Sequence, residues 1–309
     1  MSASPPGARG ATTAVLFIVV GMACQEVGAS VAVVLFPQTG PLGMVMLRLV
    51  FSAIVLLVIA RPSLRGHGRA NWLAVLGFGA TLALMNGLFY LALSRLPLGV
   101  TVTIEVLGPL VLSILASRRA SAWLWALLAF AGVLALGGGG WDRLDPLGVL
   151  FALGAAATWA LYILSSARVG RAFPRLDGLA LAMAAGAVLS LPVGIAAGGA
   201  ALFRPEVLGL GAAVAVLSST IPYALELIAL RRLAASAFAI LMSLSPATAS
   251  IAGLLILHQR LSWLEVVGIA LVILASIGAV RAAARADAAT RSRGDRDARP
   301  DEPFAEPVA

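Results

Sequence analysis

ALSRLPLGVTVTIEVLGP (residues 92–109) and ALRRLAASAFAILMSLSP (residues 229–246) together decide the fold. At an offset of 137 they share Ala, Leu, Arg, Leu and the closing Pro. A weaker match at an offset of 134 pairs VLF at 15–17 with VLF at 149–151. The second half of the chain therefore reads as a diverged copy of the first.

The surroundings are those of a membrane protein. Of 309 residues, 61% are hydrophobic and 12% charged, with a mean hydropathy of +1.00. A soluble domain has about 25% charged residues. Apolar runs repeatedly reach the roughly 20 residues needed to cross a bilayer. These runs predict an all-α integral membrane fold of ten transmembrane helices, near 13–35, 42–60, 72–93, 98–116, 121–138, 146–166, 178–197, 207–229, 236–256 and 262–280. The first is longer than a signal-peptide core and lacks a basic start close before it, so it reads as a retained span. Connections are short and rich in turn residues, such as PQTGP (37–41) and GGGGWDRLDP (137–146).

The organisation that follows is a short tail (1–12), a five-span repeat (13–138), a second five-span repeat (146–280) and a tail (281–309) whose Ala/Arg/Asp/Pro composition reads as disordered. An odd number of spans per copy turns the second copy over, giving inverted repeats, the architecture of many secondary transporters with the substrate site between the halves.

All 22 basic residues are arginine, and the net charge is +8. When the faces are numbered alternately, seventeen arginines fall on the side of both termini and four (Arg95, Arg143, Arg204, Arg260) on the other. By the positive-inside rule both termini are expected in the cytoplasm of a bacterial inner membrane. Arg95 then lies outside and its repeat partner Arg232 inside, as inversion requires. The single cysteine, Cys24, excludes an intramolecular disulfide and a multi-cysteine metal site. The two histidines, His67 and His258, fall in connections and read as solvated. Trp72, Trp123, Trp141 and Trp263 stand at span edges as interfacial anchors. Gly194 and Gly198 form one GxxxG, a sign of helix contact.

Four ionisable residues fall well inside spans: Glu26, Arg48, Glu105 and Glu226. Each costs roughly 3 kcal/mol at a helix centre on insertion scales, so each needs a partner or a water-filled cavity. Pro109 has no N–H, so the carbonyl of Glu105 loses its helical donor and one position offers both a carboxylate and a backbone acceptor. Pro222 likewise frees the carbonyl of Ser218, with Tyr223 and Glu226 following on the same span. Pro246 is the corresponding break in the second copy. Glu26 has Gln25 beside it and Ser30 one turn on, a polar patch in mid-span. Arg48 lies about 10 Å of helix rise into its span. There it either snorkels to the interface or holds a substrate carboxylate or an acid such as Glu26. Trp159 and Tyr162 fall inside the sixth span; they read first as packing, and otherwise as the lining of a pocket.

These residues carry a resemblance. Two five-span repeats of this kind resemble EamA-type members of the drug/metabolite transporter superfamily. MNGLFYLALSRLPLGVTVTIEVLGPL (85–110), ATWALYILSSARVG (157–170), IPYALELIALRRL (221–233) and MLRLV (46–50) resemble its branch of bacterial threonine/homoserine exporters. The resemblance covers about residues 14–280. It implies a proton-motive-force-driven exporter of small neutral amino acids, with protons and a small-molecule substrate as partners and no cofactor, metal or nucleic acid. Three departures stand out: Ser245 where such repeats often carry an acid, Gln259 in HQR where GE is common, and Glu26 where the exporters tend to have an amide.

Two other transport readings are an exporter of nucleosides or aromatic amino acids and an exporter of drug-like cations. An intramembrane enzyme would need a nucleophile–base or metal constellation, and no expected span contains a histidine. A purely structural membrane subunit would not need isolated acids in mid-span.

Overall fold

Lipid offers a backbone N–H or C=O no hydrogen-bond partner, so an apolar chain of this length satisfies its peptide groups within helices. A computed structural model describes residues 8–117, 120–136, 144–230 and 235–297, and every element assigned among them is helical. The order is α1 (Ala8–Ala60), α2 (Arg69–Leu93), α3 (Leu98–Glu105), α4 (Leu107–Ser117), α5 (Ala120–Leu136), α6 (Pro146–Ala172) and α7 (Asp177–Gly198), then α8 (Pro205–Ala215), α9 (Ile221–Leu230), α10 (Ala235–Met242), α11 (Ser245–Ile256) and α12 (Trp263–Asp297). Among the described residues, seven helical stretches are long and apolar enough to cross a membrane. Two shorter apolar helices lie at Trp123–Leu136 and Pro205–Thr220. Large apolar side chains such as Leu115, Leu127, Leu150 and Val188 are more than 60% exposed on the outside of the bundle. An apolar exterior this extensive is the surface of a chain solvated by lipid.

Three differences from the sequence reading have local causes. PQTGP is not a loop: helix runs to either side of Gly40, whose φ of +64° and ψ of 160° turn the chain. Glycine carries no Cβ penalty there, and Pro41 starts the second arm of α1 with its φ already fixed for a helix. The Thr39 hydroxyl donates to the Leu35 carbonyl and closes the first arm. Second, α12 continues to Asp297, well into the segment expected to be a tail without structure. That segment is dense in Ala and Arg, which stand at the favourable end of helix propensity. Third, His67 is packed rather than solvated, its ring centroid 4.2 Å from that of Phe173.

Small residues let the helices meet backbone to backbone. A Cβ on Gly132 would lie 2.8 Å from the Gly268 carbonyl oxygen, and one on Gly268 would lie 2.7 Å from that of Gly132, so α5 and α12 approach reciprocally. The GxxxG of α7 is a true contact: Gly194 faces Met46 of α1, and a Cβ on Gly198 would lie 2.7 Å from the Thr39 carbonyl. Trp123 and Trp263, 66% and 72% exposed, project outward as interfacial anchors do. Trp141 lies outside the described residues.

At the end of the bundle carrying Leu98, two polar contacts tie the chain together. The Gln259 side chain accepts from the Leu98 N–H at 2.9 Å, which caps α3 across 161 residues of sequence. Arg95 pairs with Asp145 at 2.6 Å. Asp145 also caps α6 by accepting from the Leu147 and Gly148 N–H groups. The hydrogen bond from Arg95, and then the two backbone donors, hold the Asp145 carboxyl below the usual carboxylate range. A depressed value means that the stabilisation is present at neutral pH and is lost as pH falls through and below that range.

His258, just past α11, has a φ of +54°, a left-handed conformation that suits glycine. Replacing His258 by Gly is expected to raise stability by about 0.5–1 kcal/mol, read as a higher unfolding temperature in detergent. A lower temperature would show that the imidazole contributes more than the strain costs.

Candidate functional site

Three helix interruptions converge on the middle of the bundle. α3 ends at Glu105 and α4 begins at Leu107, so the chain bends at the carboxylate, four residues before Pro109. α10 ends at Met242, 137 residues on, and α11 begins at Ser245 with Pro246 in its first turn. Between α8 and α9 the residues Val216–Thr220 form a π-helical turn just before Pro222. Proline cannot donate to Ser218, and widened turns of this sort accumulate at functional sites.

The freed Ser218 carbonyl is not left empty. Arg48 donates to it through Nη2 at 3.2 Å, to the Tyr90 hydroxyl through Nη1 at 3.3 Å, and to Ser219 Oγ through Nε at 3.5 Å. Its guanidinium also lies 5.6 Å from the centre of the Tyr90 ring, within cation–π range. Tyr90 is fully buried and is fixed by ring contacts with Phe36 and Phe89. Arg48 therefore does not snorkel; it is held in the interior by the second arm of α1, α2 and the π turn.

A cavity of about 150 Å³ lies beside it. Glu26, Arg48 and Glu105 line it together, each delivered by a different helical segment. The three lie within electrostatic reach of one another. Glu26 is 2% exposed, and its Oε2 has no hydrogen-bond partner among the described residues. Trp159 and Tyr162 of α6 also line the cavity, so the packing role first read for them is incomplete, although Tyr162 does pack on Phe78. Gln25 and Asn86 add amide groups to the wall. Of the sequence-derived candidates, the side chains of Tyr223 and Glu226 lie outside the described residues. Ser245, where an acid was expected by resemblance, is part of the same wall. Asn86, Phe89 and Tyr90 were not singled out by the sequence reading. The available signal was an amide, Asn86, one turn before a tyrosine in an otherwise apolar run.

Charged side chains around a cavity enclosed by apolar helices mark a functional site within the membrane, an arrangement that suits a transporter. The comparisons agree. The EamA-like transporter family model matches residues 146–281. The threonine/homoserine exporter RhtA of Escherichia coli K12 is 37% identical over 266 residues, covering 85% of this chain and 90% of its own length. Its counterpart in Salmonella typhimurium LT2 is 36% identical over the same extent. One solved crystal structure, matched over 89% of this chain and 99% of its own, superposes with a TM-score of 0.58 at 21% identity and shares the fold. This chain belongs to the EamA-like transporter family and is not an enzyme.

Proposed function

We propose that the protein exports small neutral amino acids of the threonine/homoserine kind from the cytoplasm, in exchange for protons. The observation that carries this is one cavity lined, among the described residues, by two carboxylates and one guanidinium. Arg48 suits the substrate carboxylate. One guanidinium balances one carboxylate, and the second carboxylate needs either a proton or the substrate ammonium beside it. Exchange requires that this one excess negative charge be relieved alternately, by a proton on one carboxylate or by an ammonium beside the other. In this cycle Glu105 takes up a proton from the outer side as the substrate leaves and releases it to the cytoplasm, while Glu26 faces the ammonium. Similarity to the named exporters supports the direction and the substrate class.

The architecture behind this reading is ten passes in two inverted halves. Thr13–Ala60 is 48 residues, or about 70 Å of rise, twice what a bilayer accommodates, and its bend at Gly40 supports two passes. The matched breaks at Glu105 and Met242 and the reciprocal Gly132–Gly268 contact support two related halves. The arginine bias supports cytoplasmic termini in the inner membrane.

The test is counterflow in liposomes loaded with threonine or homoserine, with and without a pH gradient. Movement of labelled amino acid that is accelerated by the gradient is the expected result. Movement indifferent to the gradient would remove the proton coupling. No movement of either amino acid would remove the substrate class.

A further inference from the structure

Asn86 of α2 lines the charged cavity, and the balance of charges there makes no use of it. It is 7% exposed, in a helix whose other buried residues are mostly apolar. Its Nδ2 donates to the Leu82 carbonyl, one turn back, at 2.9 Å. That bond decides which way round the amide stands, because a carbonyl oxygen only accepts. Oδ1 is the end left over, an acceptor to which none of the described residues donates. Because its other end is already tied, the amide loses little freedom when a ligand pairs with it. Gln25, the other amide on the wall, has no such anchor among the described residues.

Asn86 and Tyr90 stand one turn apart on the same face of α2, about 6 Å of rise. The Tyr90 hydroxyl accepts from Arg48 at 3.3 Å. The guanidinium and the free amide oxygen therefore lie along one wall, about a helical turn apart. We infer that Asn86 sets the specificity of the substrate site. Its Oδ1 accepts a hydrogen bond from a hydroxyl on the β- or γ-carbon of an amino acid whose carboxylate rests on Arg48. A methyl or methylene in place of that hydroxyl has no proton to give, and it would leave a buried acceptor both dry and unpaired. A site built to bond a hydroxyl rejects the analogue without it far better than an apolar pocket rejects one with an extra hydroxyl. The inference rests on the amino-acid reading of the charged cavity and adds which feature of the side chain is read.

Threonine and homoserine both become 2-aminobutyrate when the hydroxyl is replaced by hydrogen, so one analogue serves for both. Binding of the three to the detergent-purified full-length protein, measured by calorimetry, tests the inference. Threonine is expected to bind roughly tenfold more tightly than 2-aminobutyrate, the effect of one buried acceptor left unpaired. In Asn86→Leu, similar in volume but with no acceptor, that ratio should fall to about one. The change should come from threonine, and undiminished binding of 2-aminobutyrate shows that the variant is folded. A merely structural Asn86 would weaken all three ligands together and leave the ratio where it was, which would overturn the inference. Equal binding of threonine and 2-aminobutyrate to the wild type would also overturn it and leave the proposed function standing. Failure of all three to bind the wild type would overturn both. Asn86→Ala, which adds no bulk, makes the same comparison if the leucine variant does not fold.

Discussion

Glu105→Gln is expected to abolish gradient-driven efflux. Glutamine keeps the volume and the hydrogen-bonding reach of the side chain but has no proton to exchange, so threonine binding should stay within a few-fold of wild type. The uphill component of transport should fall to background, and the residual rate should lose its dependence on pH. The contrast between binding and driven transport separates a coupling role from a structural one. A merely structural acid, hydrogen-bonded to a neighbouring helix, would change stability and leave the shape of the pH profile alone. Driven efflux at the wild-type rate with an unchanged profile in the variant would remove Glu105 from the mechanism. Glu26 would then be the remaining carboxylate among the described residues on the same cavity.

Gly108→Ala is the second large effect. A methyl group there runs into the backbone carbonyl of Ala156 on α6, a contact no side-chain rotation relieves. Alanine gains about 1 kcal/mol of helix propensity over glycine. Overpacking against backbone costs about 1–3 kcal/mol and sometimes more, and the helices must part to accommodate it. The clash wins, and the thermal unfolding temperature in detergent should fall. Gly209 on α8, where a Cβ meets nothing within 4 Å, is the control, and Gly209→Ala should be neutral or slightly stabilising. Because Gly108 lies three residues past Glu105 and Ala156 three before Trp159, the same change should displace the cavity wall and slow transport beyond the loss of folded protein. Equal unfolding temperatures for the two variants would mean that α4 and α6 are not held at that distance.

The parts of the site legible in the sequence were those governed by covalent chemistry. Pro109 and Pro222 lack N–H groups in any fold, so the interruptions and the free Ser218 carbonyl followed from the residues alone. The identity of the donor did not. Arg48 and Ser218 are 170 residues apart, and only the packing of α1 against the π turn joins them. The charges of Glu26, Arg48 and Glu105 were visible as costs needing compensation, but the cavity they share is a property of three helical segments meeting. Tyr90 and Asn86 were missed because an amide or a phenol in an apolar run differs little from its neighbours in hydropathy. The same averaging hid the extension of α12, since composition scores solubility and a helix needs only propensity. At Gly40, turn-forming residues suggested a loop where one positive-φ glycine does the turning.

That turn has a consequence for how the chain is made. Gly28 and Arg48 stand about ten residues to either side of it and both touch Ser218, so the two arms of α1 run side by side as a hairpin with almost no linker. A nascent chain emerging from the ribosome cannot leave one arm in the bilayer and the other waiting in water, because no slack exists between them. On the proposed two-pass reading the arms are expected to reach the membrane together, with Arg48 travelling in beside the partner arm that carries Glu26 before the π turn that will hold its guanidinium has been synthesised.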